Sequence, residues 1–449
     1  MNQTRLFSDG AVEPPQPSEP QGQRPAAPPR LRRPDRKQVE WRPLALDALL
    51  AADHPVRMVW RYVEGLGLGS LYGEIAAVEG HAGRPAADPR VLLALWLQAT
   101  LDGVGSARAL DRLCTEHVAY MWLCGGVSMN YHTLADFRVS HGEFLDRLLT
   151  QSVATLMHHD VVTLERVAQD GVRVRASAGS SSFRRQGSLE KCLAEAEEQV
   201  AALREEIETD PAGTHRRQQA ARERAARERA ERVKRALEEL EEVRAKKEKR
   251  KKGSGAQARS STADAEARVM KMPGGGFRPG YNVQFAADTS SQVVVGVDVT
   301  NAGSDGGQLA PMADQIERRC GRLPGEMLAD SDYAKREDIT YLGSPDKGVV
   351  VYAPVREARD SDRDRHTPRR RDSEAVAAWR LRMATAEAQE IYKERASTAE
   401  CVNAQARNRG LYRFLVRGLR KVRVIALWYA LAHNLRRLIS LCPSVIGAA

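Results

Sequence analysis

At 449 residues the chain is longer than one compact core allows, and two or three domains are expected. Lys and Arg outnumber Asp and Glu by 69 to 59, a formal charge of +10 that fits a polyanionic partner such as nucleic acid or, equally, a basic surface kept for solubility. Six scattered cysteines (114, 124, 192, 320, 401 and 442), with no C-x-x-C pair, argue against a zinc ribbon or a disulfide scaffold.

The N-terminus lacks an apolar signal core, and the longest apolar run, VLLALWLQATL at 91–101, is too short to span a bilayer. A soluble, cytoplasmic chain is expected. Residues 1–38 hold eight prolines among Gln, Ser and Arg, which predicts a disordered basic arm. Residues 39–160 read as all-helical and DNA-binding. Pro55 after Asp53 and Pro89 after the N-cap Asp88 mark two helix starts, with Gly103 near the second stop. SARALDRLCTEHVAYMWLCGG predicts a helix from Ser106 to Gly125, and a further helix runs through YHTLADFRVSHGEFLDRLLTQSVATLMHH toward residue 159. Such short helices could include a helix-turn-helix, its second helix near 131–139, or form an ordinary packing bundle.

Residues 161–188 contain TLERVAQDGVRVRA, a strand. Alternation sets Val167, Gln169, Arg173 and Arg175 on one face, and Ala168, Asp170, Val172, Val174 and Ala176 on the other. A charged coiled-coil hairpin is expected at 189–270. Leu193, Ala196, Val200, Leu203 and Ile207 form one seam, Ala226, Ala230, Val233, Leu237 and Leu240 the other, with TDPAG (209–213) breaking the helix between them. From Arg216 to Lys252 there are 16 Lys/Arg against 8 Asp/Glu, a face for phosphates or for solvent.

Over 271–440 the period changes. YNVQFAAD (281–288) and QVVVGVDVT (292–300) predict a β-hairpin, followed by helix, strand (GEMLAD), helix and strand (KGVVVYAP). A charged stretch at 355–372 precedes long helices, and 441–449 is a tail. The expected class is α/β: a mixed five-stranded sheet with helices on both sides.

Two carboxylates stand at informative places. Asp170 is the lone acid on the apolar face of the first strand, and Asp330 ends the apolar run of GEMLAD. Each alone could serve as a cap or turn. On neighbouring strands they would repel and jointly call for a cation, for which Mg²⁺ with oxygen ligands is the economical choice. In YKERASTAECVNAQARNRGL, Tyr392, Arg395, Glu400 and Arg407 share one helical segment, with Arg407 two turns beyond Glu400.

These blocks resemble, over most of residues 40–440, the DDE transposases of bacterial insertion sequences (IS4/IS5-like superfamily). GRPAADPRVLLALWLQATLDGVGSARALDRLCTEH and WLCGGVSMNYHTLADFR are similar to that group's N-terminal helical domain. QDGVRVRASAGSSSFRR, GYNVQFAADTSSQVVVGVDVTNAGSDGGQL, LADSDYAKREDI and YKERASTAE are similar to its RNase H-like catalytic domain. The resemblance implies Asp170, Asp330 and Glu400 as catalytic metal ligands, with Asp332 the alternative to Asp330, and Tyr392, Arg395 and Arg407 as the signature around the glutamate. Arg173, Arg175, Tyr392, Arg395 and Arg407 are expected DNA contacts. It further implies two Mg²⁺ ions, with Mn²⁺ an alternative, serving in-line displacement at phosphorus. The implied partners are terminal inverted repeats and target DNA, bound by a homodimer at the nucleoid. A nuclease that cuts without joining, or an inactive DNA-binding regulator, remain the competing readings.

Overall fold

The computed structural model describes residues 45–78, 80, 85–209, 216–357 and 364–443. The expected arm at 1–38, nearly all of TDPAG, the middle of the charged stretch at 355–372 and most of the tail lie outside those residues.

Capping side chains set the first helices. α1 (Pro55–Glu64) starts on a proline, with His54 rather than Asp53 as its cap: His54 Nδ1 accepts from Val56 N at 3.2 Å. After the short α2 (Gly69–Gly73), α3 (Pro89–Leu101) is capped by Asp88, whose Oδ1 accepts from Arg90 N at 2.8 Å. The helix expected from Ser106 to Gly125 is two, α4 (Ala107–Glu116) and α5 (Val118–Cys124). His117 between them is extended, and its Nδ1 accepts from Ala119 N at 3.3 Å to begin α5. The next predicted helix also divides, at His141, into α6 (Tyr131–Ser140) and α7 (Gly142–His158). Leu134, Phe137 and Arg138 of α6 are buried, so much of this helix serves packing.

β1 (Arg166–Arg175) enters the sheet, and an insertion follows: β2 (Phe183–Arg184), α8 (Gln186–Thr209), α9 (Arg216–Arg250), β3 (Ser260–Ser261) and β4 (Arg268–Lys271). α8 and α9 pack through Leu189, Ala196, Ala226, Val233, Ala236 and Leu240. The chain continues as β5 (Phe277–Asp288), β6 (Val294–Thr300), α10 (Leu309–Cys320), β7 (Glu326–Leu328), α11 (Arg336–Leu342) and β8 (Val350–Tyr352). α12 (Glu374–Arg382), α13 (Ala386–Arg395), α14 (Cys401–Asn408) and α15 (Leu419–Leu441) complete it.

The described sheet is mixed and has six strands, not the expected five. β1, β7 and β8 are parallel, while β5 runs antiparallel to β1, β4 and β6. The sixth strand, β4, comes from the insertion. It pairs with Phe277–Gly280 of β5, leaving Asn282–Ala287 for β6, because twelve residues give β5 room for two partners on one edge.

α15 carries several basic residues, yet most of it is buried. Val424 to Leu435 are buried all round, and Leu415 lies in the preceding loop, exposed. Only Arg420, Lys421, Arg423 and Arg436 of its basic residues face solvent outright. A helix apolar on every side belongs in a core. α15 packs on α3 and α7 on one side and on β6 on the other, so helical region and sheet share one core. Asn434 clips it to the edge strand, bonding Val294 N and O at 2.8 Å each. Among the described residues no helix is long and apolar enough to cross a membrane.

Candidate active site

The parallel pairing of β1 with β7 sets Ala168 opposite Leu328. Two residues further on both chains, on the same faces by the two-residue period, stand Asp170 and Asp330. Asp170 is half-buried within β1, and its Oδ1 accepts from Gly171 N at 2.8 Å. Asp330 caps the single turn 331–333, its Oδ1 accepting from Ser331 N at 2.5 Å. Asp332 is turned away and pairs with Arg356.

Arg395, the last residue of α13, lies among the carboxylates. Its Nη2 is 4.0 Å from Asp170 Oδ2 and 3.9 Å from Asp330 Oδ2, while Nη1 is 3.2 Å from Glu400 Oε1. The guanidinium sits 5.9 Å from the ring centre of Tyr392. Burial pushes the Asp170 carboxyl above its usual range; Arg395 and the Gly171 amide oppose this, and Asp305 and Asp330 add to it. Side-chain exposure rises from 11% at Arg395 and 22% at Asp170 to 49% at Asp330 and 62% at Glu400, so the cluster opens to solvent on the side of Asp330 and Glu400.

A π turn at Ala396–Glu400 connects α13 to α14 and puts Glu400 on this face. In a regular α-helix, residues five apart point about 140° away from each other. Widening one turn to i→i+5 bonding absorbs the extra residue, so Glu400 takes the direction of an i+4 side chain, about 40° from Arg395. Gln292 holds the turn, its Nε2 donating to Ser397 O at 3.1 Å. Arg166 of β1 docks α13 on the sheet by bridging Glu326 and Glu394, at 2.5 Å each.

Residues 356–439, which include Tyr392, Arg395, Glu400 and Arg407, match the family model described as "Transposase DDE domain". Residues 44–140 match the one described as "Transposase domain (DUF772)". Together they support a DDE transposase family. A transposase function is thereby indicated. No curated protein and no solved structure matches the chain.

Beneath these carboxylates lies a polar network that alternation alone did not reveal. Asp305 is buried; its Oδ1 accepts from Asn282 Nδ2 (2.6 Å) and Gln284 Nε2 (3.0 Å), its Oδ2 from Arg173 Nη2 (3.1 Å). Gln284 Oε1 accepts from Gln169 Nε2 at 3.1 Å and from the hydroxyl of Tyr333, whose phenol burial keeps protonated. A sequence signal existed in Asn282 and Gln284, two polar residues on one face of an otherwise apolar strand. Asp305, in a glycine-flanked loop, offered none.

The expected DNA contacts divide accordingly. Arg173 is turned inward to Asp305 and Gly303 O. Arg175, at the end of β1, and Arg407, on α14, are exposed. Tyr392 is half-buried beside Arg395, and burial raises its phenol pKa.

DDE transposases generally use divalent metals. Three carboxylates without sulfur or imidazole suit a hard cation, and the cluster already draws a guanidinium. With Arg395 lying between them the three do not close on one another: among the described residues, no group of three or more His, Cys, Asp and Glu is placed to hold a metal ion in this arrangement.

Proposed function

We propose that the chain is a transposase that cuts DNA at the ends of an insertion sequence and joins the freed end to target DNA. The observation that carries the reading is the gathering of Asp170, Asp330 and Glu400, from two strands and one helix, around Arg395. The strand order β6-β5-β1-β7-β8, with β1, β7 and β8 parallel, supports an RNase H-like reading of the sheet.

Asp170, Asp330 and Glu400 would hold Mg²⁺, which when bound supplies charge stabilisation at phosphorus and lowers the pKa of an attacking water or hydroxyl. The chain's own residues position the DNA. Arg175 and Arg407, exposed near the cluster's elements, offer phosphate contacts, and the basic face of α9 adds sequence-independent attraction. In the first step water attacks the phosphodiester at the element's end, breaking the P–O3′ bond and leaving a 3′-hydroxyl. In the second that hydroxyl attacks a target phosphodiester, forming a new P–O bond and releasing the target's 3′-hydroxyl. Two ends must be held together, which calls for a homodimer on the DNA.

The test uses duplexes carrying the inverted repeats that flank the gene, with and without Mg²⁺, for the natural chain and for Asp170→Asn. Expected are Mg²⁺-dependent cleavage and joining by the first, and end binding without cleavage by the second. Cleavage without joining would indicate a nuclease, binding alone a regulator, and cleavage by Asp170→Asn would overturn the site.

A further inference from the structure

Arg395 and a divalent ion make competing claims on the same oxygens. The guanidinium approaches all three carboxylates, yet forms a hydrogen bond only with Glu400, at 3.2 Å; the approaches to Asp170 and Asp330, at 4.0 and 3.9 Å, are looser. Its Nε, though buried, has no partner among the described residues. Such a guanidinium is attracted by charge but incompletely satisfied. A phosphate oxygen pair would meet its fork better, by two parallel charge-assisted bonds. The exposure of Asp330 and Glu400 leaves the cluster open on the side from which a DNA strand would come.

We propose that Arg395 is an internal counter-cation that DNA draws off the carboxylates, so that divalent-cation binding and DNA binding are coupled. The proposal rests on the reading of the three carboxylates as metal ligands. Without DNA, an incoming ion must displace a guanidinium that pairs, among the described residues, with no other anion. With DNA, a phosphate receives it. Linkage then requires the reciprocal effect: the ion strengthens DNA binding by the factor by which DNA strengthens ion binding. The π turn belongs to this device, because it sets Glu400, the one hydrogen-bonded partner, on the guanidinium's side.

The test titrates the full chain with Mn²⁺, read by electron paramagnetic resonance without DNA. In parallel, fluorescence anisotropy measures affinity for a short duplex with and without Mn²⁺ at constant ionic strength. Arg395→Gln is expected to bind Mn²⁺ about tenfold more tightly than the natural chain in the absence of DNA, and to lose most of the Mn²⁺ dependence of its DNA affinity. Arg395→Lys keeps the charge and is expected to retain weak DNA-free Mn²⁺ binding, which separates displacement of a cation from a packing effect. Equal or weaker Mn²⁺ binding by folded Arg395→Gln overturns the proposal. The double variant Asp170→Asn with Asp330→Asn keeps the two levels apart. If it binds Mn²⁺ like the natural chain, the carboxylates are not ligands. If it loses Mn²⁺ while Arg395→Gln shows no gain, only the coupling fails.

Discussion

Deleting Ala396 removes one residue from the π turn between Arg395 and Glu400, at a position whose side chain is exposed. The expected result is continuous α-helix: Glu400 becomes the fourth residue after Arg395, about 40° round the helix, close to where the π turn already puts it. Thr398 and Ala399, both buried, and Val402 beyond them keep their faces. Inserting an alanine after Ala396 has the opposite effect, since Glu400 becomes the sixth residue on and turns about 120° away. Loss of that carboxylate would remove several kcal/mol of charge stabilisation at phosphorus, which at about 1.4 kcal/mol per decade is roughly a thousandfold in rate. The assay is single-turnover cleavage of an end duplex, with circular dichroism and thermal unfolding to verify the fold. The deletion should cleave within about tenfold of the natural chain, and the insertion should lose cleavage. A well-folded deletion variant as inactive as the insertion would refute the idea that the turn acts by directing Glu400.

Three further outcomes follow from neighbouring contacts. In Gly171→Ala the new methyl would lie 2.5 Å from Asp305 Oδ1, 2.6 Å from Gln284 Nε2 and 2.7 Å from Asn282 Oδ1, side chains tied to one another; urea unfolding should show a loss of about 1–3 kcal/mol, and none would contradict the tight packing of this network. Arg175→Ala should weaken binding to any duplex and lower the salt dependence of log K by about one, as expected for one phosphate contact; an unchanged slope would remove Arg175 from the interface. His433 is buried, donates from Nε2 to Gln292 O at 2.7 Å, and burial lowers its pKa to about 4. The unfolded chain takes up that proton near pH 6.5 and the folded chain only near 4, so stability falls as pH drops through this window, by roughly 3 kcal/mol in all; His433→Gln should lack that part of the fall, and parallel pH profiles would contradict it.

The strands β1, β5, β6, β7 and β8 were readable because alternation or an apolar run bounded by turn residues marks each of them, whereas β4 (RVMK), in the insertion, carries neither signal. Asp170 and Asp330 stood out for the same reason: a carboxylate within or ending an apolar run is visible in one dimension. What pattern could not carry was anything set by a partner distant in the chain. Arg173 alternates with Arg175 and was expected to face DNA with it, yet a loop acid 132 residues away claims it. The break at His117 falls where a histidine caps a new helix, without Gly or Pro to announce it, whereas the one at His141 had Gly142 beside it as a signal. The burial of α15 on every side needed two layers, and periodicity along one helix reports only one.

Glu400 is the instructive case. Helical spacing puts residues 395 and 400 on different faces, so periodicity argues against their meeting. They meet because the helix carries one residue more than its turns require, and the excess is absorbed where α13 ends. That irregularity is secured from outside the helix: Gln292, in the β5–β6 turn with φ at 57°, donates to Ser397 O from its side chain and accepts from His433 through its backbone. His433 lies in α15, which also packs against the N-terminal helices. The direction of one carboxylate is thus fixed through a hairpin turn by the helix at the centre of the molecule. Substitutions at His433 or Gln292 should accordingly disturb cleavage through Glu400, although neither residue touches the carboxylates.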